Sequence, residues 1–428
     1  MSNINHQRRS PTQDFFENVV LEKSPGIDEM GSVKWDLFGC FCLAWLVCYL
    51  CIFKGTKSVG KVAYVTVILP YVLLVTLLIA SCQLEGATNG VKYFLKPEWG
   101  KILSMDIWVK AAAQNFMSIG IAFGAMIAFS SYNDLKGHLL QDTLTIAGVN
   151  AMTSLVSGLV IFSAMGHMAH QFHTSVEKVV KEGPELVFIV YPQIFKNLPA
   201  PYLWSALFFL TLIMLGVDSQ FAYVEVVITT LADSNGGRFM KRFFGGSKQL
   251  LSLFVCAVAF LAGLPNLFNG GIYFFNLLDN YDTIIALLVI AFFEIVALCW
   301  LYGAKSISRD IKNVSGKSTS RYFTYSWLFG SPLVMGVILV SKVVTFKPPT
   351  YGKYEYPGWA HSLGWLITAS SLVCIPLFAL VEVLKCEGSL LQRLNSSISP
   401  RKVVSIGEVG AKHSPEEKFS DEKVESLL

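Results

Sequence analysis

Residues 203–231 read LWSALFFLTLIMLGVDSQFAYVEVVITTL. As a helix this stretch rises roughly 40 Å at 1.5 Å per residue. The hydrocarbon core of a bilayer is about 30 Å thick, so the stretch can span it. It nevertheless carries two acids, Asp218 and Glu225. A charge at membrane depth costs about 2.5–3.5 kcal/mol on insertion scales unless it is paired or faces a polar cavity. Ser219 and Gln220 follow Asp218 directly. An acid, a hydroxyl and an amide in a row point to a cation site. The plainer alternative for Asp218 is an ion pair, but no apolar run supplies a base near its centre, and Lys342 lies close to a run's end. Glu225 sits two turns from Asp218 on the same face. Neither it nor Glu294 has polar neighbours in sequence, so a structural role is the expectation for both.

The rest of the chain repeats this apolar character. Of 428 residues, 53% are hydrophobic and 15% charged, against about 25% charge in soluble domains. The expected class is an all-α polytopic membrane protein. Runs of about 18 or more apolar residues mark spanning helices. Nine are expected: Trp35–Phe53, Val62–Cys82, Ala111–Tyr132, Thr143–Gly166, Leu203–Leu231, Leu250–Leu267, Tyr281–Tyr302, Tyr322–Phe346 and His361–Leu384. Most of the nine cysteines lie inside these runs and read as small apolar side chains rather than a disulfide framework. No nucleophile elbow, phosphate loop, zinc-protease motif or nucleic-acid patch appears, so neither an enzyme nor a nucleic-acid partner is expected.

Loop charge sets orientation. Alternate connections are basic: Lys54, Lys57 and Lys61; then Arg238, Lys241, Arg242 and Lys248; then Lys305, Arg309, Lys312, Lys317 and Arg321. Those segments are expected on the cytoplasmic side, with the tail from 386 to 428, which reads as disordered. The N-terminal 34 residues then lie outside, although the first 30 lack the apolar core of a signal peptide. The connection Met168–Tyr202 is amphipathic around Gly183-Pro184 and predicts short helices. His167, His170 and His173 crowd one end of it. On a helix they could hold zinc, although solvated loop histidines are the plainer expectation.

Two further runs carry polar faces. Gln114 and Ser118 are four apart, followed by Gly120 and Gly124; Asn150 and Ser154 are also four apart. The first pattern fits either a packing helix with small residues or a helix interrupted near 118–124. An interruption would free backbone groups for ions or substrate, which is tolerated only where backbone lines a cavity. Together the two faces form a neutral donor set suited to chloride, with oxygens suited to sodium.

Several strings then resemble one family. SSYN (130–133), NAMTSLVSGLVIF (150–162), LGVDSQFAYVE (215–225), NGGIYFFNLLDNY (269–281), FFEIVALCWLYG (292–303) and YPGWAHSLGW (356–365) are similar to the sodium- and chloride-dependent neurotransmitter symporters, solute carrier family six. The resemblance runs from about Ser10 to Cys386. It implies that residues 1–34 are a remnant of a large extracellular loop and that residues 35–385 are a transporter domain. The nine spans would correspond to family helices four to twelve, with helices one to three lacking. It further implies a sodium/chloride-coupled symporter in the plasma membrane with a cytoplasmic C-terminus, for a small amine or amino-acid substrate. The alternative is a non-transporting truncated form that assembles with full-length subunits. Membrane lipid is the expected surroundings, and a homo-oligomer is an open option.

The resemblance also assigns residues. Ser118 and Asn150 match one sodium site, and Leu215 (through its carbonyl), Asp218 and Ser219 a second. Gln114, Ser118, Asn150 and Ser154 match the chloride site. Met117, Phe123 and Gln220 fall at substrate positions, Asp279 at the extracellular gate and Asp233 at the cytoplasmic gate. The family's remaining ligands and the gates' basic partners lie in or beside helices one to three. Local departures are Lys110, where the family usually has Asp, and Met117, where it has an aromatic residue.

Overall fold

The structure is a computed structural model, and it describes residues 11–53, 56–132, 139–179, 186–196, 200–233, 237–316, 318–352 and 354–398. Two compact units emerge: Met1–Ala291 with Met335–Ser371, and Phe292–Val334 with Leu372–Leu428. Among the described residues eight helices are long and apolar enough to cross a membrane: Trp35–Ile52, Tyr64–Cys82, Leu139–Gln171, Pro201–Asp233, Lys248–Leu267, Gly271–Asn313, Arg321–Val344 and Gly358–Lys385. Each coincides with one of the expected runs.

The ninth expected run, Ala111–Tyr132, is interrupted. One helix covers Met105–Ile119 and a second, of six residues, covers Ala125–Ser130. Gly120 ends the first in the left-handed region at φ +78°, where its N–H reaches the Phe116 and Met117 carbonyls. The Ile121 N–H also returns to the Phe116 carbonyl, at 3.1 Å. This is a glycine-terminated helix end. Gly124 is again left-handed, at φ +76°, as is Ala122 at φ +66°. Three such residues within five cannot continue a right-handed helix.

In the first unit, the Thr56–Cys82 helix packs against both Leu139–Gln171 and Pro201–Asp233. Leu77, Val160, Tyr191 and Phe208 bury one cluster there, and Cys48, Phe221, Ile228 and Leu251 bury another between Trp35–Ile52, Pro201–Asp233 and Lys248–Gly263. Lipid tails are as apolar as leucine, so close packing rather than water exclusion holds such helices together. The tightest crossing is between Ala87–Leu95 and Leu139–Gln171. A Cβ on Gly90 would overlap the Phe162 carbonyl, and one on Gly166 would press on the Gly90 backbone. The fourth run is longer than expected. Its helix continues to Gln171, so His167 and His170 are helical rather than loop residues. His167 is buried, with Nδ1 2.7 Å from the Glu85 carbonyl. Among the described residues no group of three His, Cys, Asp or Glu could hold a metal ion. The following connection does form short helices, at Val176–Val179 and Tyr191–Phe195, while Gly183 and Pro184 lie outside the described residues.

The N-terminal segment forms a strap across one end of this unit. Lys34 N–H meets the Leu267 carbonyl at 2.9 Å, and Val33 bridges Phe268. Asn269 accepts from the Ser32 N–H at 2.8 Å and donates to the Glu22 carbonyl at 2.9 Å. Ile27 N–H reaches Tyr354 Oη, and Trp359 Nε1 reaches Asp28 at 2.7 Å. Lys34 pairs with Glu22, and the Lys23 ammonium lies 4.7 Å from the Tyr351 ring centroid. A small hairpin, Thr350–Tyr351 with Tyr354–Glu355, supplies these tyrosines. Burial pushes the Tyr356 phenol up to about 12, so it stays neutral and donates to the Tyr273 carbonyl at 2.9 Å. No sequence pattern announced the hairpin.

In the second unit, Gly303 stands at φ +98° and ψ 128° and breaks the helical run before Ala304–Ser315. Tyr302 donates to Asp310, and Trp300 Nε1 reaches the Leu328 carbonyl at 2.9 Å. The tail differs from its expected disorder at its start, because Leu390–Ile398 is helical. Residues 399–428 lie outside the described residues.

Candidate ion and substrate site

The polar residues singled out in the apolar runs fall on three neighbouring helices and the interruption. Ser118, in the last turn before the break, donates its hydroxyl to Asn150 Oδ1 at 2.8 Å. This bond bridges the interrupted segment and the Leu139–Gln171 helix. On the other side, Phe123 stacks obliquely on Tyr223 with ring centroids 5.2 Å apart, and Ala125–Ser130 packs on Pro201–Asp233. The unwound residues therefore lie between the two helices that carry Asn150 and Asp218.

The Thr56–Cys82 helix completes the arrangement. Thr66 donates its hydroxyl to Asp218 Oδ1. Five residues on, the Tyr71 hydroxyl lies 2.9 Å from that of Thr153. Among the described residues no Lys or Arg pairs with Asp218. The half-buried Asp218 carboxyl is thus met by a neutral hydroxyl rather than by a counter-charge. Ser219 donates to the Leu215 carbonyl at 3.1 Å, the usual return of a serine to the preceding turn. Its oxygen retains lone pairs. Oxygen-only sets of this kind suit hard cations. The Ser118–Asn150 pair offers both signs, a hydroxyl oxygen and an amide donor, and so matches either a cation or an anion.

Not every assigned residue joins this group. Gln114, Ser154 and Gln220 make no side-chain hydrogen bond among the described residues; Gln114 and Ser154 are exposed on their helices. Met117 is half-buried one residue before Ser118. Asp233 is the last residue of its helix, and Asp279 opens the π-helical stretch Asp279–Ala286. Both gate candidates are exposed. Lys110, the departure from the family pattern, forms an exposed pair with Asp106 at 2.6 Å, one turn away.

Glu225 has a different role from Asp218. It is 1% exposed. Lys248 Nζ lies 3.1 Å from Oε1, and the Tyr132 hydroxyl lies 3.4 Å from the same oxygen. The structural role expected for Glu225 is therefore met by a base at the start of the Lys248–Gly263 helix. Thr66, Tyr71, Thr153 and Lys248 were missed as partners. Each is one polar residue in or beside an apolar run, and nothing local ties it to a carboxylate or hydroxyl dozens of residues away.

A broken helix beside half-buried and exposed polar groups within a set of spanning helices is an arrangement suited to a membrane transporter. The family comparison agrees: the model of the sodium:neurotransmitter symporter family matches residues 1–386, and the chain belongs to that family. Similar curated proteins include a sodium- and chloride-dependent GABA transporter of Drosophila melanogaster, 39% identical over 92% of this chain and 42% of the relative. A sodium- and chloride-dependent glycine transporter 2 of Xenopus laevis is 36% identical over 92% of this chain and 49% of its own length. A sodium- and chloride-dependent taurine transporter of Bos taurus is 39% identical over 94% and 65%. The chain thus spans about half the length of the curated relatives it matches.

Proposed function

We propose that the spans of this chain correspond to family helices four to twelve and serve a sodium- and chloride-coupled symporter of an amino-acid-like substrate in the plasma membrane, with the C-terminus cytoplasmic. The observation that carries the reading is the Ser118–Asn150 bond at the edge of the interruption. It joins two residues picked independently from separate runs. In this reading Asp218, Ser219 and the Leu215 carbonyl hold one sodium ion, and Ser118 with Asn150 a second. Chloride lies against Gln114, Ser118, Asn150 and Ser154. Substrate meets Met117, Phe123 and Gln220, and Asp279 and Asp233 close the two sides. Ion binding favours one arrangement of the helices over another, which couples the gradient to uptake. The names of the relatives favour GABA, glycine or taurine as first substrates to try.

The test is uptake of radiolabelled GABA, glycine and taurine by cells expressing the chain, with sodium replaced by choline and chloride by gluconate. Uptake lost on both replacements supports the proposal, and uptake indifferent to both defeats it. The partial coverage of the relatives keeps a second reading in view, a subunit that acts only in assembly with a full-length family member. That reading predicts no uptake by the chain alone and co-purification with the longer partner.

A further inference from the structure

The Ala304–Ser315 helix carries a feature that ion coupling does not use. Lys305, Arg309 and Lys312 recur at i, i+4 and i+7, which places them within about 60° of one another around the helix. All three are exposed, while Ile307 and Ile311, on the opposite side, are half-buried. The only acid in the helix, Asp310, accepts from the Tyr302 hydroxyl. Among the described residues none of the three cations pairs with a carboxylate. Topology alone asks only that a cytoplasmic connection be basic; it does not ask that the charges share one stripe. The helix follows the apolar run Tyr281–Tyr302 after the break at Gly303 and forms the C-terminal end of the Gly271–Asn313 stretch, so its basic stripe stands beside the apolar run. Only glycine adopts that backbone without strain.

We propose that this stripe is a docking surface for the anionic phospholipid headgroups of the cytoplasmic leaflet. The inference goes beyond ion-coupled transport and rests only on the cytoplasmic placement of this end. Three cations aligned along one face can meet several phosphates at once, whereas the same charges spread around the helix would meet them singly. Juxtamembrane basic residues attract an anionic leaflet by roughly fivefold per charge, an effect that salt screens.

The experiment places the purified full-length chain in phosphatidylcholine nanodiscs carrying a trace of photoactivatable phosphatidylserine or, in parallel, photoactivatable phosphatidylcholine. Labelled peptides are then mapped. The expected result is phosphatidylserine labelling of 304–315 roughly fivefold or more above phosphatidylcholine, falling in high salt. A variant with Lys305→Ser, Ser306→Lys, Ser308→Arg and Arg309→Ser keeps composition and net charge. It turns two of the cations about 100° in opposite directions, and it should lose most of the preference. Equal labelling by the two lipids overturns the proposal, as does a preference that survives the rearrangement. The wild-type labelling pattern decides the question even if the variant folds poorly, and transport activity does not enter it.

Discussion

At the scale of single residues, two carboxylates on one helix face have parted ways. Asp218 is met by the hydroxyl of Thr66, and Glu225 by the ammonium of Lys248. The first meets a neutral donor, and the second a counter-charge. Asp218→Asn is expected to abolish sodium-dependent uptake while leaving folding intact, read by ion-replacement uptake beside gel-filtration profiles; unaltered sodium dependence would remove Asp218 from the site. Glu225→Gln should instead act on stability. Removing one partner of a fully buried pair costs about 3–5 kcal/mol; here the cost is smaller, because Lys248 is 37% exposed and partly screened. In detergent melts, Glu225→Gln and Lys248→Met should each lower the midpoint, with the double variant less damaged than the sum. Additive losses would show that the two groups are not coupled. Neither partnership could be read locally. Thr66 is one threonine in an apolar run, and Lys248 lay among bases that looked merely topological.

At the scale of elements, apolar length was the legible signal. Eight spans emerge where hydropathy put them. The interruption at 120–124 was one of two readings that the glycines beside Ser118 left open, and the left-handed backbone at 120, 122 and 124 decides for it. The crossing of Ala87–Leu95 over Leu139–Gln171 was not legible, since a close approach depends on which glycine meets which backbone. That difference is testable. Gly90→Ala would drive a methyl into the Phe162 carbonyl and force the helices apart. Gly148→Ala, on the same long helix, meets nothing within 4 Å and should stabilise by about 0.5–1 kcal/mol through helix propensity. Thermal melts of the two variants should shift in opposite directions. Equal shifts would mean that the crossing is looser than described.

At the scale of the molecule, the strap from Glu22 to Lys34 ties the N-terminal segment to the Leu267–Gly271 turn and to the 350–359 hairpin region. The hydrogen bond and the charge of Lys34 hold the Glu22 carboxyl below its ordinary value of 4.5, with Asn269 adding a smaller pull. A carboxylate lowered in this way supports the strap above its unfolded value and loses that support as pH falls through the lower, folded one. Limited proteolysis of residues 20–34 should therefore be slow at neutral pH and accelerate only well into acid. Lys34→Met should be cleaved faster at neutral pH and show a weaker acid dependence. A pH-independent rate in the wild type would argue against the pair. Sequence reading placed this segment outside the membrane but saw none of its partners, because hydrogen bonds across more than 230 residues leave no periodic trace.

The strap also sets a clock. Asp28 is held by Trp359, 331 residues later. At synthesis rates of about 5–20 residues per second, the later partner emerges on the order of half a minute after the first. Until then the early segment waits without its hairpin, and every helix between must already be threaded. The Asp28–Trp359 contact thus closes only after the chain between its two ends has been laid down.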